Sequence, residues 1–161
     1  MNKEEKYAAL LPQVKALCEG ESDRIAKMAN VSALLHHEFG FWWTGFYRIE
    51  KSVDATNNSQ LSSLNSQLVL GPFQGPIACV HIAYGRGVCG TAWKERRSVV
   101  VPDVEEFPGH IACSSESRSE IVVPVFQDDE IIAVLDIDSR ELATFDDTDR
   151  RWLEEVVKFI P

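Results

Sequence analysis

The sequence lacks several patterns that mark common functional classes. None of its four cysteines is spaced from another as C-x-x-C, the pairing used by many redox and zinc motifs. Positive charge is also scarce, with 16 Lys and Arg against 25 Asp and Glu and a net charge of −9. Because nucleic acids and anionic membrane surfaces are bound by clustered basic residues, this balance argues against both as partners.

Long apolar runs are missing as well. No uninterrupted apolar stretch approaches the roughly 20 residues that a membrane-spanning helix needs. The N-terminus is charged from Lys3 onward and has neither the apolar core nor the cleavage site of a signal peptide. We therefore expect a cytoplasmic protein. In that reducing compartment, catalytic or metal-binding cysteines are favoured over structural disulfides.

The composition that remains is that of one ordinary globular domain. The 161 residues are 45% hydrophobic and 25% charged, and the four Trp are enough for a sizeable core or an aromatic pocket. We predict a single domain over 1–161, with N-terminal helices in 1–40, a sheet and pocket in 41–138, and a C-terminal helix in 144–160. The Ser- and Asn-rich segment 51–66 indicates an exposed loop between two strands.

Hydrophobic periodicity places the elements within these segments. Helical spacing covers 3–17, and a second helix starts after a predicted N-cap at Ser22 and runs to about residue 38. A short helix over 88–97 carries Cys89. The predicted strands are 41–50, 67–73, 77–84, 98–103, 120–126 and 131–138.

Two strands carry side chains that suggest a pocket. Alternation places Trp43 and Tyr47 on one face of their strand and Trp42 on the other, although core packing alone also explains such aromatics. Asp136 and Asp138 share one face of an otherwise apolar strand. Two such carboxylates repel each other unless a cation or hydrogen-bond donors lie between them. Solvation at a strand end is the alternative, and the sequence leaves both open.

The cysteines carry the clearest sign of chemistry. Cys79, Cys89 and Cys113 lie on separate elements and meet only through the fold, as a metal site, a structural bridge or a redox thiol set. Cys113 stands at a predicted helix start, where backbone amides lower a thiol pKa, and His110 precedes it by three residues. A zinc site that adds His81 has suitable ligand types, but its spacings are not those of zinc knuckles. We therefore expect no metal.

The runs WTGFY, LVLGPFQGPIACV, GRGVCGTA, GHIAC, SEIVVPV and VLDIDS resemble the GAF-domain free methionine-(R)-sulfoxide reductases. The resemblance extends from Trp43 to Phe159, and only the 51–66 loop looks longer than the family pattern. It implies an α+β fold in which a six-stranded antiparallel sheet is flanked by N- and C-terminal helices. It also implies that free L-methionine (R)-S-oxide is reduced through a cysteine sulfenic acid and an intramolecular disulfide. Thioredoxin would recycle that disulfide, without a bound cofactor.

The resemblance also assigns roles to individual residues. Cys113 matches the catalytic cysteine, Cys79 the resolving cysteine and Cys89 a third cysteine. Glu120 would also interact with the sulfoxide oxygen during the reaction. The residues matching the aromatic wall and the acidic substrate contacts are Trp43, Tyr47, Glu120, Asp136 and Asp138.

One geometric condition must hold if the three acids share a pocket. A plain two-residue turn at Asp128-Asp129 would pair Glu120 with Ile137 and aim Glu120 at the opposite face of the sheet. A longer turn, a bulge or a strand break is therefore required between residues 120 and 131.

The main alternative is a GAF module that senses a small molecule without reacting with it. We expect such a sensor to be attached to an output domain, and the sequence contains none. A homodimer is an assembly that the sequence leaves open.

Overall fold

The computed structural model describes residues 1–51, 66–110 and 115–161. Most of the predicted 51–66 loop lies outside the described residues, and so do Cys113 and the helix start predicted there. None of the helices in the described ranges is long and apolar enough to cross a bilayer.

Four α-helices and six strands make up the described fold. The helices are α1 (Lys3–Cys18), α2 (Arg24–Phe39), α3 (Gly87–Glu95) and α4 (Asp147–Val157). The strands are β1 (Trp43–Glu50), β2 (Gln67–Gln74), β3 (His81–Ala83), β4 (Val99–Val101), β5 (Ser119–Gln127) and β6 (Glu130–Ser139). They form one sheet in the order β3-β2-β1-β6-β5-β4, with every neighbouring pair antiparallel. The expected α+β fold with a six-stranded antiparallel sheet is thus confirmed.

Helices pack against both faces of the sheet, because the central strands carry apolar side chains on each face. On one face Phe46, Ile121 and Leu135 are fully buried in a cluster that includes side chains of α1, α2 and α4. On the other face Val122 and Val134 pack in a second cluster with side chains of α3. The pocket lies on this second face, where one short helix covers less of the sheet than three helices do.

Side-chain caps set the starts of α1, α2 and α4. The second helix is capped by Asp23, whose carboxylate accepts hydrogen bonds from the amides of Ile25 and Ala26. The prediction of Ser22 as this cap was wrong by one residue. An aspartate oxygen reaches these free amides as well as a serine hydroxyl does, and its charge also suits the positive end of the helix dipole.

The strand predicted over 77–84 is mostly irregular. Only His81–Ala83 pairs with β2, and the preceding segment is joined to the sheet by a hydrogen bond of 2.8 Å from the Leu70 amide to the Val80 carbonyl. Cys79 lies in that irregular segment and is half-buried. β3 lies at the edge of the sheet and pairs with β2 alone. The alternation in the sequence is therefore not enough to extend the strand over residues 77–80.

The β5–β6 hairpin contains the irregularity that the shared acidic pocket requires. Asp128 and Asp129 form a two-residue turn with φ of 49° and 65°, and Gln127 pairs with Glu130. The register then shifts between Val125 and Phe126, which is a β-bulge.

Beyond the bulge, Glu120 pairs with Asp138 and Val122 pairs with Asp136. The three carboxylates therefore project from the same face of the sheet, because residues paired directly across two strands share a face. Of the three irregularities that would meet the condition, a longer turn, a bulge or a strand break, the structure has the bulge.

Candidate active site

A pocket opens on the α3 face of the sheet, over the central strands. Cross-strand pairing builds its floor, since Trp43 lies opposite Asp138, which in turn lies opposite Glu120. Aromatic and acidic side chains are thus direct neighbours, as cross-strand partners are in any antiparallel sheet. The polar and ionisable side chains that line the pocket include Arg86, Cys89, His110, Ser117, Glu120, Asp136 and Asp138.

The aromatic wall is built around Trp43. Its ring stacks on Phe73 and Tyr47, with centroids 5.3 Å and 5.9 Å away, and its indole N–H donates to the Pro76 carbonyl at 3.0 Å. Gly45 makes this packing possible. A Cβ there would lie 2.3 Å from Phe73 Cβ and 2.7 Å from Trp43 Cη2, closer than real Cβ contacts come.

Tyr47 connects this wall to the segment that carries Cys79. Its hydroxyl donates to the Cys79 carbonyl oxygen at 2.8 Å. Cys79 itself is disulfide-bonded. A side chain assigned to the pocket wall therefore also fixes the backbone of a disulfide-bonded cysteine.

The acidic cluster is strongly desolvated. Glu120 and Asp136 are each only 6% exposed, and Asp138 is half-buried. Burial raises the pKa of each carboxyl well above its usual range, and the negative charge of a neighbouring carboxylate raises each pKa further. Glu120 and Asp136 interact directly, so at neutral pH we expect this pair to hold a proton between them.

Each acid has a different set of neighbours. The Ser117 hydroxyl donates to Asp138 at 2.5 Å, which opposes the rise in that carboxyl's pKa. His110 Nε2 lies 3.6 Å from Glu120 Oε2, and burial lowers the His110 pKa, which favours the neutral imidazole. Asp136 Oδ1 is buried without a hydrogen-bond partner among the described residues. A buried carboxylate oxygen without a hydrogen-bond partner is unusual in a folded protein.

Cys89 lies in the first turn of α3 and is buried as a free thiol. A helix N-terminus ordinarily lowers a thiol pKa. Here burial raises the Cys89 pKa well above its usual value, and the negative charges of Asp136, Glu120 and Asp138 raise it further. At neutral pH Cys89 is therefore a protonated thiol beside the acids and a poor nucleophile.

Comparison with known proteins agrees with this architecture. A family model for the GAF domain matches residues 35–160. The free methionine-R-sulfoxide reductase of Escherichia coli is 45% identical over 98% of this chain and 87% of its own length. GAF domain-containing protein A of Dictyostelium discoideum is 50% identical, with 99% and 92% covered.

A solved structure of free methionine-R-sulfoxide reductase from Neisseria meningitidis, in complex with its substrate, is also similar. It is 47% identical, covers 99% of this chain and 89% of its own, and superimposes with a TM-score of 0.89. The chain belongs to the GAF-domain free methionine-R-sulfoxide reductase family.

In this reductase-family pocket the structure brings together most of the predicted site. Of the predicted site residues, those that line it are Trp43, Tyr47, Cys89, Glu120, Asp136 and Asp138. Cys79 lies next to the pocket-lining Ala78, whereas Cys113 lies outside the described residues. His81, one ligand of the zinc alternative, is exposed on the edge strand β3.

Among the aromatic, polar and ionisable residues that line the pocket, sequence reasoning missed Trp42, Arg86 and Ser117. Trp42 was predicted to face away from Trp43, but it precedes β1 and lines the pocket beneath the Arg140 guanidinium, 3.9 Å from the ring centre. Strand alternation does not apply to a residue just outside the strand. Arg86 and Ser117 also line the pocket, and neither belongs to a pattern that would have singled it out.

Proposed function

We propose that this protein reduces free L-methionine (R)-S-oxide to L-methionine with electrons from cysteine thiols. The observation that carries the proposal is a pocket in which the stacked Trp43 and Tyr47 face a buried cluster of three carboxylates. A free amino acid with a methyl sulfoxide side chain matches both halves of this pocket. Its methyl group suits the aromatic wall, and its ammonium suits the acids.

The three carboxylates are assigned different contacts with the substrate. We assign Asp136 and Asp138 to the substrate ammonium, whose positive charge would relieve their mutual repulsion. Glu120 takes the sulfoxide oxygen. The raised pKa of Glu120 supports this role, because a protonated carboxyl can donate a hydrogen bond that makes the sulfur more electrophilic.

The thiol chemistry is assigned to Cys113 and Cys79. The Cys113 thiolate attacks the sulfoxide sulfur while Glu120 donates a proton to the oxygen. The substrate S–O bond then breaks and the oxygen moves to the Cys113 sulfur, so methionine leaves reduced by two electrons and Cys113 becomes a sulfenic acid. The Cys79 thiol then condenses with that acid, releasing water and forming a disulfide. The disulfide-bonded state of Cys79 and the free thiols at Cys18 and Cys89 support this pairing.

An outside dithiol must then reduce the disulfide by exchange, and we propose thioredoxin for this step. Cys79 is half-buried, while its neighbours Ile77 and Val80 are 92% and 54% exposed, so the segment is open to an incoming protein. The mechanism needs a reducing compartment, which agrees with the cytoplasmic location expected from the composition.

A coupled assay tests the activity. Protein, free methionine (R)-sulfoxide, thioredoxin, thioredoxin reductase and NADPH should consume NADPH only when all components are present. Pre-reduced Cys113→Ser should release no methionine, whereas Cys79→Ser should release about one per enzyme and then stall. Cys18→Ser is the matched control and should turn over normally, since Cys18 packs in the core on the opposite face of the sheet.

Mass mapping of the protein after one turnover tests the disulfide pairing. We expect a peptide that joins Cys79 to Cys113. A dominant bridge between Cys89 and Cys113 would instead assign the resolving role to Cys89.

Steady-state kinetics should distinguish the roles of the three carboxylates. Asp136→Asn and Asp138→Asn should mainly raise KM, because they remove charge that binds the ammonium. Glu120→Gln should mainly lower kcat, because the amide cannot supply the proton that the carboxyl supplies. Equal effects on both constants for all three variants would contradict this division.

A sensing module that binds a small molecule without reacting is the second candidate. It is favoured by the similarity to GAF domain-containing protein A, whose name specifies no reaction. Isothermal titration with methionine sulfoxide in the absence of any reductant measures binding alone. Binding without methionine release by the pre-reduced protein would support the sensor.

A further inference from the structure

We propose that Cys89, Glu120 and Asp136 form a zinc-type divalent-cation site at the bottom of the pocket, and that a cation bound there excludes the amino-acid substrate. The site is a different one from the zinc alternative considered for the sequence, because it uses neither Cys79 nor His81. It would make the protein sensitive to inhibition by free divalent metal.

The three side chains come from different elements and converge on one point. Cys89 comes from the first turn of α3, Glu120 from β5 and Asp136 from β6, and one ligand atom of each lies within 4.8 Å of the others. In a tetrahedral zinc site with bonds of roughly 2.0–2.3 Å, neighbouring ligand atoms lie about 3.4–3.6 Å apart. The cluster therefore needs to contract by only about 1 Å, which side-chain rotation can supply.

A second observation, an unpartnered carboxylate oxygen, favours a cation at this point. Asp136 Oδ1 is buried without a hydrogen-bond partner among the described residues, and the residue is only 6% exposed. Buried polar atoms in folded proteins are nearly always paired, so an orphaned carboxylate oxygen lining a pocket is suited to a cation. The same oxygen is available to the substrate ammonium, which is why the two occupants would compete.

The ligand types select the metal. Ca²⁺ and Mg²⁺ prefer all-oxygen ligand sets, whereas one thiol with two carboxylates suits Zn²⁺ or Co²⁺. Binding would displace the thiol proton of Cys89, and solvent would fill the fourth position. His110 Nε2, 3.6 Å from Glu120 Oε2, borders the same cluster and adds a nitrogen within reach of it.

Cobalt provides a direct test that does not depend on activity. The protein is oxidised so that Cys79 stays in its disulfide, treated with EDTA, desalted and titrated with CoCl₂. We expect a thiolate-to-cobalt charge-transfer band in the near ultraviolet that saturates at one equivalent. Cys89→Ser should lose the band. Cys18→Ser, which removes the other free thiol among the described residues, should keep it.

Calorimetric titration with ZnCl₂ extends the test to the oxygen ligands. Asp136→Asn should weaken zinc binding at least tenfold, whereas Glu105→Gln, which changes an exposed acid, should leave it unchanged. This pair of variants keeps the proposal testable even if Cys89→Ser does not fold. Absence of the cobalt band, its survival in Cys89→Ser, or equal zinc affinity in both acid variants would overturn the site.

Competition with methionine separates this inference from the proposed function, on which the exclusion of substrate depends. Added methionine should raise the apparent Kd for zinc, because its ammonium would occupy the same carboxylates. Tight zinc binding that methionine does not affect would refute the shared pocket and leave the metal site standing. Methionine binding without any zinc binding would do the opposite.

Discussion

Replacing Asp136 by Asn should stabilise the substrate-free protein at neutral pH, even though the residue is almost fully buried. Most buried substitutions destabilise a fold. Asp136 differs because its carboxyl is held beside Glu120 and Asp138 with one oxygen unpartnered. An amide of the same shape removes the charge and keeps the packing.

The size of this stabilisation can be estimated from the separation of the Glu120 and Asp136 carboxylates. Ligand atoms of Glu120 and Asp136 lie within 4.8 Å of each other. At 4.8 Å, the upper limit of that separation, two full charges repel by about 3.5 kcal/mol at an effective dielectric constant of about 20. Because we expect the pair to share a proton, the realised gain should be smaller, about 1–3 kcal/mol. For a domain of this size, each kcal/mol corresponds to about 2–4 °C in Tm.

The pH dependence has a definite sign. Each acid of the cluster has a folded-state pKa above its unfolded value, so the native state holds more protons than the unfolded chain above about pH 4. Stability from these groups is therefore lost as pH rises from about 4 toward the folded pKa, with a slope of about 1.4 kcal/mol per pH unit for each excess proton. Asp136→Asn should flatten this decline.

Urea unfolding followed by Trp fluorescence from pH 5 to pH 8 measures the effect. EDTA is present throughout, so that no cation occupies the cluster. Glu105→Gln removes one exposed acid and serves as the control for net charge. A destabilised Asp136→Asn, or one whose stability falls with pH as steeply as that of wild type, would refute the reasoning.

Two further predictions concern the aromatic wall. Tyr47→Phe should preserve the ring packing but remove the hydrogen bond to the Cys79 carbonyl. We therefore expect disulfide formation after the first turnover to slow more than methionine release, and rapid-quench analysis of both products measures the two rates. Gly45→Ala should cost about 1–3 kcal/mol by overpacking against Phe73 and Trp43, measured by denaturant midpoint. Phe73→Gly removes the clashing Cβ, so it should destabilise the Gly45→Ala protein less than it destabilises wild type. An equal loss in both backgrounds would contradict the steric explanation.

The sequence was a good guide where a residue's role depends on its own strand. Period-2 alternation in β1 and β6 placed Trp43 with Tyr47 and Asp136 with Asp138, as the pocket shows. Side chains alternate strictly between the two faces of a hairpin, so an irregularity was needed to place Glu120 on the same face as Asp136 and Asp138. The bulge provides it. These features follow from local geometry, which one sequence contains.

Sequence reasoning was weaker where a contact joins distant parts of the chain. The Tyr47 hydroxyl reaches a backbone carbonyl 32 residues away, and a backbone acceptor leaves no trace in residue type. The protonation of Cys89 likewise depends on carboxylates from β5 and β6 rather than on its own helix. The alternation pattern also predicted a longer strand before Ala83 than the structure has, because an edge strand pairs with a neighbour on one side only.

The bulge in the β5–β6 hairpin has a consequence for how this fold tolerates insertions. The pocket end of β6 takes its register from β1, so the bulge separates that end from the hairpin tip. A three-residue turn with no bulge would deliver Glu120 to the same position as the present two-residue turn with one. Loop length at Asp128-Asp129 and strand irregularity near Ile132 are therefore interchangeable, and a lone single-residue insertion or deletion here should be absorbed at the tip before it reaches the acids.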